Sequence, residues 1–220
     1  MAPRSPNPKP SKPDTVPAPP ALLAGEDLPP EPKQERSRRA RAALLNATLA
    51  LFAERGFEAT SVEEIASAAG VAVGGFYQHF RSKRQALLVL MDRLIGELSA
   101  LEVALPESAP PRAIVGAIVH AALYIDWAYL GAYRAWREVI LHDAEVAAHN
   151  RALEAWTMSR LRMLAALLLS LPGARTDVDV EAFCWVSNQL FWRLTEAAAV
   201  DREGVERTVT AFFWHALFAD

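Results

Sequence analysis

The stretch GVAVGGFYQHFRSK, Gly70 to Lys83, sets two adjacent glycines, Gly74 and Gly75, directly before an aromatic pair, Phe76 and Tyr77. The surroundings otherwise read as helix, and each glycine costs an ordinary helix about 1 kcal/mol relative to alanine. Upstream, a helix starts at Thr60-Ser61. Ser61 and Glu64 have the spacing of a capping box, Ile65 supplies an inward apolar contact, and the helix stops at Gly70. Two short helices joined by a tight turn make a candidate helix-turn-helix. The second helix of that motif lies in the major groove of DNA, its first residues nearest the base edges. Gly74 and Gly75 then remove side chains where backbone must approach the duplex closely. Tyr77, Gln78 and His79 reach phosphates or bases from the flanks, while Phe76 and Phe80 turn back onto the preceding helices. The competing reading is a loose connector, with the glycines forming a turn and the aromatics filling a core.

Outward from this stretch the chain reads as helices. A first helix spans about Glu35 to Arg55, with Leu45, Leu49 and Phe52 at i, i+4 and i+7, and Gly56 ends it as a C-terminal cap. A short helix covers roughly Ala72 to Phe80. The next starts at Ser82, where Ser82 and Gln85 again match a capping box, and runs to about Leu105. Beyond the ESAPP break, helices are expected near Pro111–Leu130, Ala132–His142, Asp143–Leu171, Val178–Ala199 and Arg202–Phe218. No sustained apolar/polar alternation marks a strand.

Residues 1–34 hold eleven of the fifteen prolines and no aromatic residue. Such a segment buries too little apolar surface to offset its ordering entropy, so it reads as a disordered, Pro-rich tail. The domains are therefore a tail (1–34), a helix-turn-helix domain (35–81) and a helical domain (82–220). The net charge of −3 divides unevenly: +3 over residues 35–93, −6 over 94–220 and zero over 1–34. Any polyanion is expected at the basic front. One cysteine, no apolar leader and no run of about 18 uncharged apolar residues fit a soluble, cytoplasmic protein with no membrane partner.

Residues 44–88 closely resemble the DNA-binding domain of the TetR family of bacterial transcriptional regulators. The matching pieces are LFAERGF (51–57), TSV-x-x-IA (60–66), AGV (69–71), G-x-FY-x-HF (74–80) and SK (82–83). The resemblance implies a three-helix DNA-binding head and a helical C-terminal ligand-binding and dimerisation domain. It implies that Val73, Gly75, Tyr77, His79 and Lys83 touch DNA. Tyr77, His79 and Lys83 would meet phosphates, and Val73 and Gly75 would lie near bases. Thr60 or Ser61 would offer a hydroxyl and helix-end N–H groups to a phosphate. Two departures stand out: Ala72 replaces a small hydroxyl residue, and Gly75 stands where Thr, Ser or Ala is frequent. Both shift the balance from side-chain readout toward shape and backbone contact. Arg36, Arg38, Arg39 and Arg41 begin a helix against its dipole. Phosphate contact, assigned to Arg36 and Arg39, is one reading; a solvated face partnered by Glu31 and Glu35 is the other.

In the C-terminal half, aromatics cluster between 111 and 142. His120, Tyr124, Trp127, Trp136 and Met158 are candidates to line an apolar effector pocket, with Asp126, Arg134 and Glu138 as polar handles. From the residues alone, any single one reads as ordinary core; the resemblance is what points to a pocket. The terminal helices carry apolar residues on opposed faces, so Trp185, Gln189, Trp192, Phe213 and Leu217 are the candidate dimer interface. In the resembled family the last two helices build a four-helix dimer interface. The sequence contains no H-E-x-x-H, P-loop or nucleophile elbow, and its histidines and cysteine lack metal-ligand spacing. No enzyme, cofactor or metal is therefore expected. The reading is an all-α homodimeric repressor of a double-stranded operator, released by a small, largely apolar effector. The alternatives are an activator or constitutive DNA binder without a pocket, or a small-molecule carrier with a vestigial helix-turn-helix.

Overall fold

A computed structural model describes residues 18–101, 109–194 and 201–219. Among these residues it is all-helical: α1 Glu35–Arg55, α2 Val62–Ala68, α3 Val73–Tyr77, α4 Lys83–Ser99, α5 Pro111–Ala128, α6 Leu130–Val139, α7 Ala144–Leu169, α8 Val180–Leu194 and α9 Arg202–Leu217. Local chemistry sets the ends. Gly56 closes α1 at φ +84°, its N–H bonded to Phe52 O. Ser61 and Glu64 form the full capping box of α2, which satisfies two helix-end donors reciprocally. The second expected box is half made. Ser82 Oγ accepts from Gln85 N–H, but Gln85 Oε1 turns to Arg81 N–H.

Two apolar clusters hold the molecule. The first joins α1, α2, α3, α4 and α6, with Val146, Leu153 and Trp156 of α7. The second joins α5, α8 and α9 with Ala165 and Leu168 of α7. The head is thus not closed off from the rest of the chain. α1 lies along α6, where a Cβ on Gly131 would come within 2.0 Å of Leu49 O, so only glycine permits this approach. α5 and α6 meet at a 64° bend around Tyr129.

The expected tail needs correction over its second half. Residues 1–17, and with them the basic-arm reading, lie outside the described residues. Residues 18–34 pack on the head. Leu22 is fully buried, Leu23 and Leu28 lie against the first cluster, and Glu26 meets Arg84 and Gln85 at the start of α4. Three leucines and Glu26 outweigh the surrounding prolines, because each finds a specific partner. The helix beginning at Ser82 stops at Ser99, short of the end expected near Leu105, while the end expected for the helix beginning at Val178 falls in residues 195–200, outside the described residues.

Candidate nucleic-acid interface and internal cavity

The turn between α2 and α3 uses Gly70 at φ +69°, and Val71 N–H bonds back to Ala66 O. α3 then starts without a side-chain cap, as Ala72 dictates, and Phe76 anchors it in the core beside Phe80. Gly74 and Gly75 take ordinary helical dihedrals. A Cβ on Gly74 would meet nothing within 4 Å, and one on Gly75 would touch only Val71, at 3.5 Å. Nothing inside the molecule asks for either glycine. Around them Val73 is 37% exposed, Tyr77 47% exposed, and Gln78 also faces solvent. The front of α3 is a bare patch flanked by one apolar and two polar side chains.

Several residues expected at DNA are part of the frame instead. Thr60 is buried, and its hydroxyl donates to Gly56 O at 2.7 Å. Lys83 Nζ donates to Phe57 O (2.7 Å), Thr60 O (2.9 Å) and Glu58 O (3.4 Å), and lies 4.4 Å from the centre of the Phe57 ring. The loop carbonyls around 57–60 lack helical partners, and an ammonium with three donors fills them. His79 is buried. Desolvation, then the Arg41 charge, hold its imidazole pKa below the ordinary value, and its carbonyl accepts from Arg41 Nη1. Ser61 Oγ is engaged with Glu64 N–H.

The arginine cluster splits. Arg38 and Arg39 pair with Glu35, and Arg41 is buried over the Phe80 ring. Arg36 is exposed and without a partner among the described residues. Glu35 therefore supplies the partner expected of it, while Arg36 stays available to an external anion.

The sequence did not mark how the head is held from behind. Arg134 Nη1 on α6 donates to Ala53 O (2.9 Å) and Glu54 O (3.1 Å), covering carbonyls at the end of α1. Glu138 Oε2 accepts from Phe57 N–H (2.8 Å) and Glu58 N–H (3.1 Å). These two residues, expected as pocket handles, instead clamp the α1–α2 turn from α6.

A cavity of about 140 Å³ lies where the two apolar clusters meet, between α4, α5, α6, α7, α8 and α9. Leu94, Ile95, Val115, Val119, Trp156, Phe183, Phe191 and Trp192 supply much of its wall. Asp126 on α5 stands in that wall, 6% exposed, and its Oδ1 accepts the Tyr133 hydroxyl at 2.6 Å. Burial pushes the Asp126 carboxyl up to about 7, against the lowering effect of the Tyr133 hydrogen bond. Of the three polar handles expected from the sequence, Asp126 is the one that stands in this wall.

The residues expected to line a pocket lie elsewhere. His120 and Tyr124 are exposed, stacked on each other, and His120 meets Glu206 on α9. Trp127 packs in the second cluster under Arg202. Trp136 is solid core, its Nε1 donating to Asn150. Met158 borders a separate, open groove between α6, α7 and α8. Residue type alone did not indicate which helix faces would turn inward.

The candidate interface residues also divide. Trp185 (59% exposed) and Gln189 face outward from α8, and Val186 on α8 and Phe212 on α9 are also exposed. Phe213 and Leu217 are buried in their own core, and Trp192 packs edge-on against Tyr133. Among the described residues no single helix is long and apolar enough to cross a membrane. None of these residues groups as three His, Cys, Asp or Glu able to hold a metal.

Residues 44–89 match the family model described as bacterial regulatory proteins, tetR family. The repressor KstR2 of Mycobacterium tuberculosis is 48% identical over 62 residues, which cover 28% of this chain and 28% of that protein. The matches to curated relatives cover less than two fifths of those relatives' length. Solved structures extend the likeness across the fold. The KstR2 structure from M. tuberculosis covers 82% of this chain and 95% of its own at TM-score 0.58 and 18% identity. The fatty acid degradation regulator FadR of Bacillus halodurans covers 83% and 96% at TM-score 0.63 and 15% identity.

Proposed function

We propose that this chain is a member of the TetR family of bacterial regulatory proteins, a homodimeric repressor that binds a double-stranded operator and is released by a small, largely apolar ligand. The single observation that carries this reading is the front of α3, where Gly74 and Gly75 leave a bare patch that internal packing does not require. Backbone-close fit to a major groove gives the glycines a purpose. Val73, Tyr77 and Gln78 supply the flanking contacts, and Arg36 a phosphate contact. Readout then rests more on groove shape and backbone contact than on many base-specific side chains.

The outward faces of α8 and α9, with Trp185, Val186 and Phe212, are the surface we assign to the second copy. The cavity favours an effector over a constitutive DNA binder, and the similarity to the repressor KstR2 supports the sign of regulation. Tyr133, beside the cavity, shares α6 with Arg134 and Glu138, which hold the α1–α2 turn. A ligand that shifts α6 would therefore move the head, provided it binds the two arrangements unequally. Regulation, not catalysis, is the activity assigned, and the cytoplasm its place.

The test is selection of bound duplexes from a random pool. The expected product is an inverted repeat whose half-sites lie about one helical turn apart or a multiple of it. A pool with no enriched sequence at moderate salt would refute the repressor reading.

A further inference from the structure

The cavity holds a buried acid without a counter-charge. Asp126 Oδ1 is occupied by Tyr133, whereas Oδ2 has no partner among the described residues. Burial and the Tyr133 hydrogen bond act on this carboxyl, and the Arg137 charge acts on Tyr133. Asn188, also buried and in the same wall, has an amide without a partner among the described residues. The surroundings are otherwise apolar, and an ionised carboxylate taken from water is costly unless paired. Two electron-rich rings share this wall. Tyr133 is hydrogen-bonded to the carboxyl, and Trp192 packs edge-on to Tyr133 at 5.4 Å between ring centres. Such rings favour a cation over a neutral group.

We propose that this end of the cavity binds the protonated amino group of an apolar amine, with Asp126 Oδ2 accepting its N–H and the apolar walls enclosing its hydrocarbon body. The proposal rests on the effector reading above and names the ligand's chemical class. A space of about 140 Å³ fits a single-ring body, since an apolar cavity of roughly 150 Å³ admits benzene. The remaining N–H groups of the ammonium find the Asn188 amide as a second acceptor in the same wall. Arg160 is the rival anchor. It also lines the cavity and has no carboxylate partner, but its guanidinium already donates to Leu98 O and lies over Trp156. An acid anchored there is the competing outcome.

The experiment uses the full chain without DNA and three probes of nearly equal shape: 2-phenylethylamine, 2-phenylethanol and phenylacetate. Calorimetry and quenching of tryptophan emission, to which Trp156 and Trp192 in the wall contribute, measure binding. The amine is expected to bind about tenfold or more tighter than the alcohol, and phenylacetate more weakly than either. Asp126→Asn is expected to remove that preference while keeping affinity for the alcohol within about threefold. Tyr133→Phe, which leaves the carboxylate, is expected to keep the preference. Equal binding of amine and alcohol, tightest binding of phenylacetate, no binding of any probe, or a preference that survives Asp126→Asn would each overturn the proposal. The wild-type series decides even if a variant fails to fold. Failure here leaves duplex selection by α3 untouched, and failure of duplex selection leaves amine binding untouched.

Discussion

The head and the cavity treat their polar groups in opposite ways. Around the α1–α2 turn, carbonyls and N–H groups that helices leave over are taken up one by one: Lys83 and Arg134 fill the carbonyls, Glu138 and Ser61 the N–H groups. In the cavity wall, Trp156 Nε1 is buried without a partner among the described residues, and the buried Asp126 carboxyl has Tyr133 on one oxygen alone. Satisfied networks fix one geometry, whereas an unsatisfied buried group carries a cost that a ligand can remove. The head is thus built as a rigid object offering a bare face, and the cavity as a place left incomplete.

If the rigidity of the head depends on its seat against α6, Gly131→Ala is the severest way to break it. The new methyl would meet the Leu49 carbonyl and force the helices apart. A loss on the order of 3 kcal/mol or more is expected, read as a fall in the denaturant midpoint. Glu138→Ala is milder. Two N–H groups lose their acceptor, for about 1–3 kcal/mol, and amide hydrogen exchange at Phe57 and Glu58 should quicken ahead of the rest of α1. Unchanged exchange there would mean the clamp is not what holds the turn.

The cavity side is sharpened by pH. In the folded chain Asp126 keeps its proton up to about pH 7, while the unfolded chain releases it near 3.8. The folded pKa is raised, so stability is at its fullest below the unfolded value. It falls as pH rises between the two values, and stays lower above about 7. Asparagine does not titrate. Asp126→Asn should therefore gain stability relative to the natural chain between pH 5 and pH 8, by about 1–3 kcal/mol, and little below pH 4. A constant difference across this range would remove the buried acid from the account.

Legibility in the sequence followed the same division. The limits of α1, the Gly56 cap and the Ser61–Glu64 box are local, set by residues a few positions apart, and the sequence displays them. The docking of Leu22, the clamp by Arg134 and Glu138, and the cavity wall depend on contacts between distant segments. Periodicity says that a helix is apolar on two sides, but not which side meets a void. Hence His120 and Tyr124, expected inside, lie outside, and of the three expected polar handles Asp126 reaches the cavity while Arg134 and Glu138 do not. Within the head, residue type misled at Thr60, His79 and Lys83, because a hydroxyl, an imidazole and an ammonium serve a loop carbonyl or a packed core as readily as a phosphate.

One substitution probes the bare face of α3 itself. Gly74→Leu places a side chain where the molecule itself has nothing within 4 Å of the first added atom. Thermal stability and affinity for the selected duplex are measured on the same preparation. Stability should hold or rise slightly, by up to about 1 kcal/mol from helix propensity. Duplex affinity should fall on the order of 100-fold, equivalent to roughly 2.7 kcal/mol. A variant that binds the duplex as tightly as the natural chain would contradict the account, because the bare front of α3 would then not be where DNA comes close.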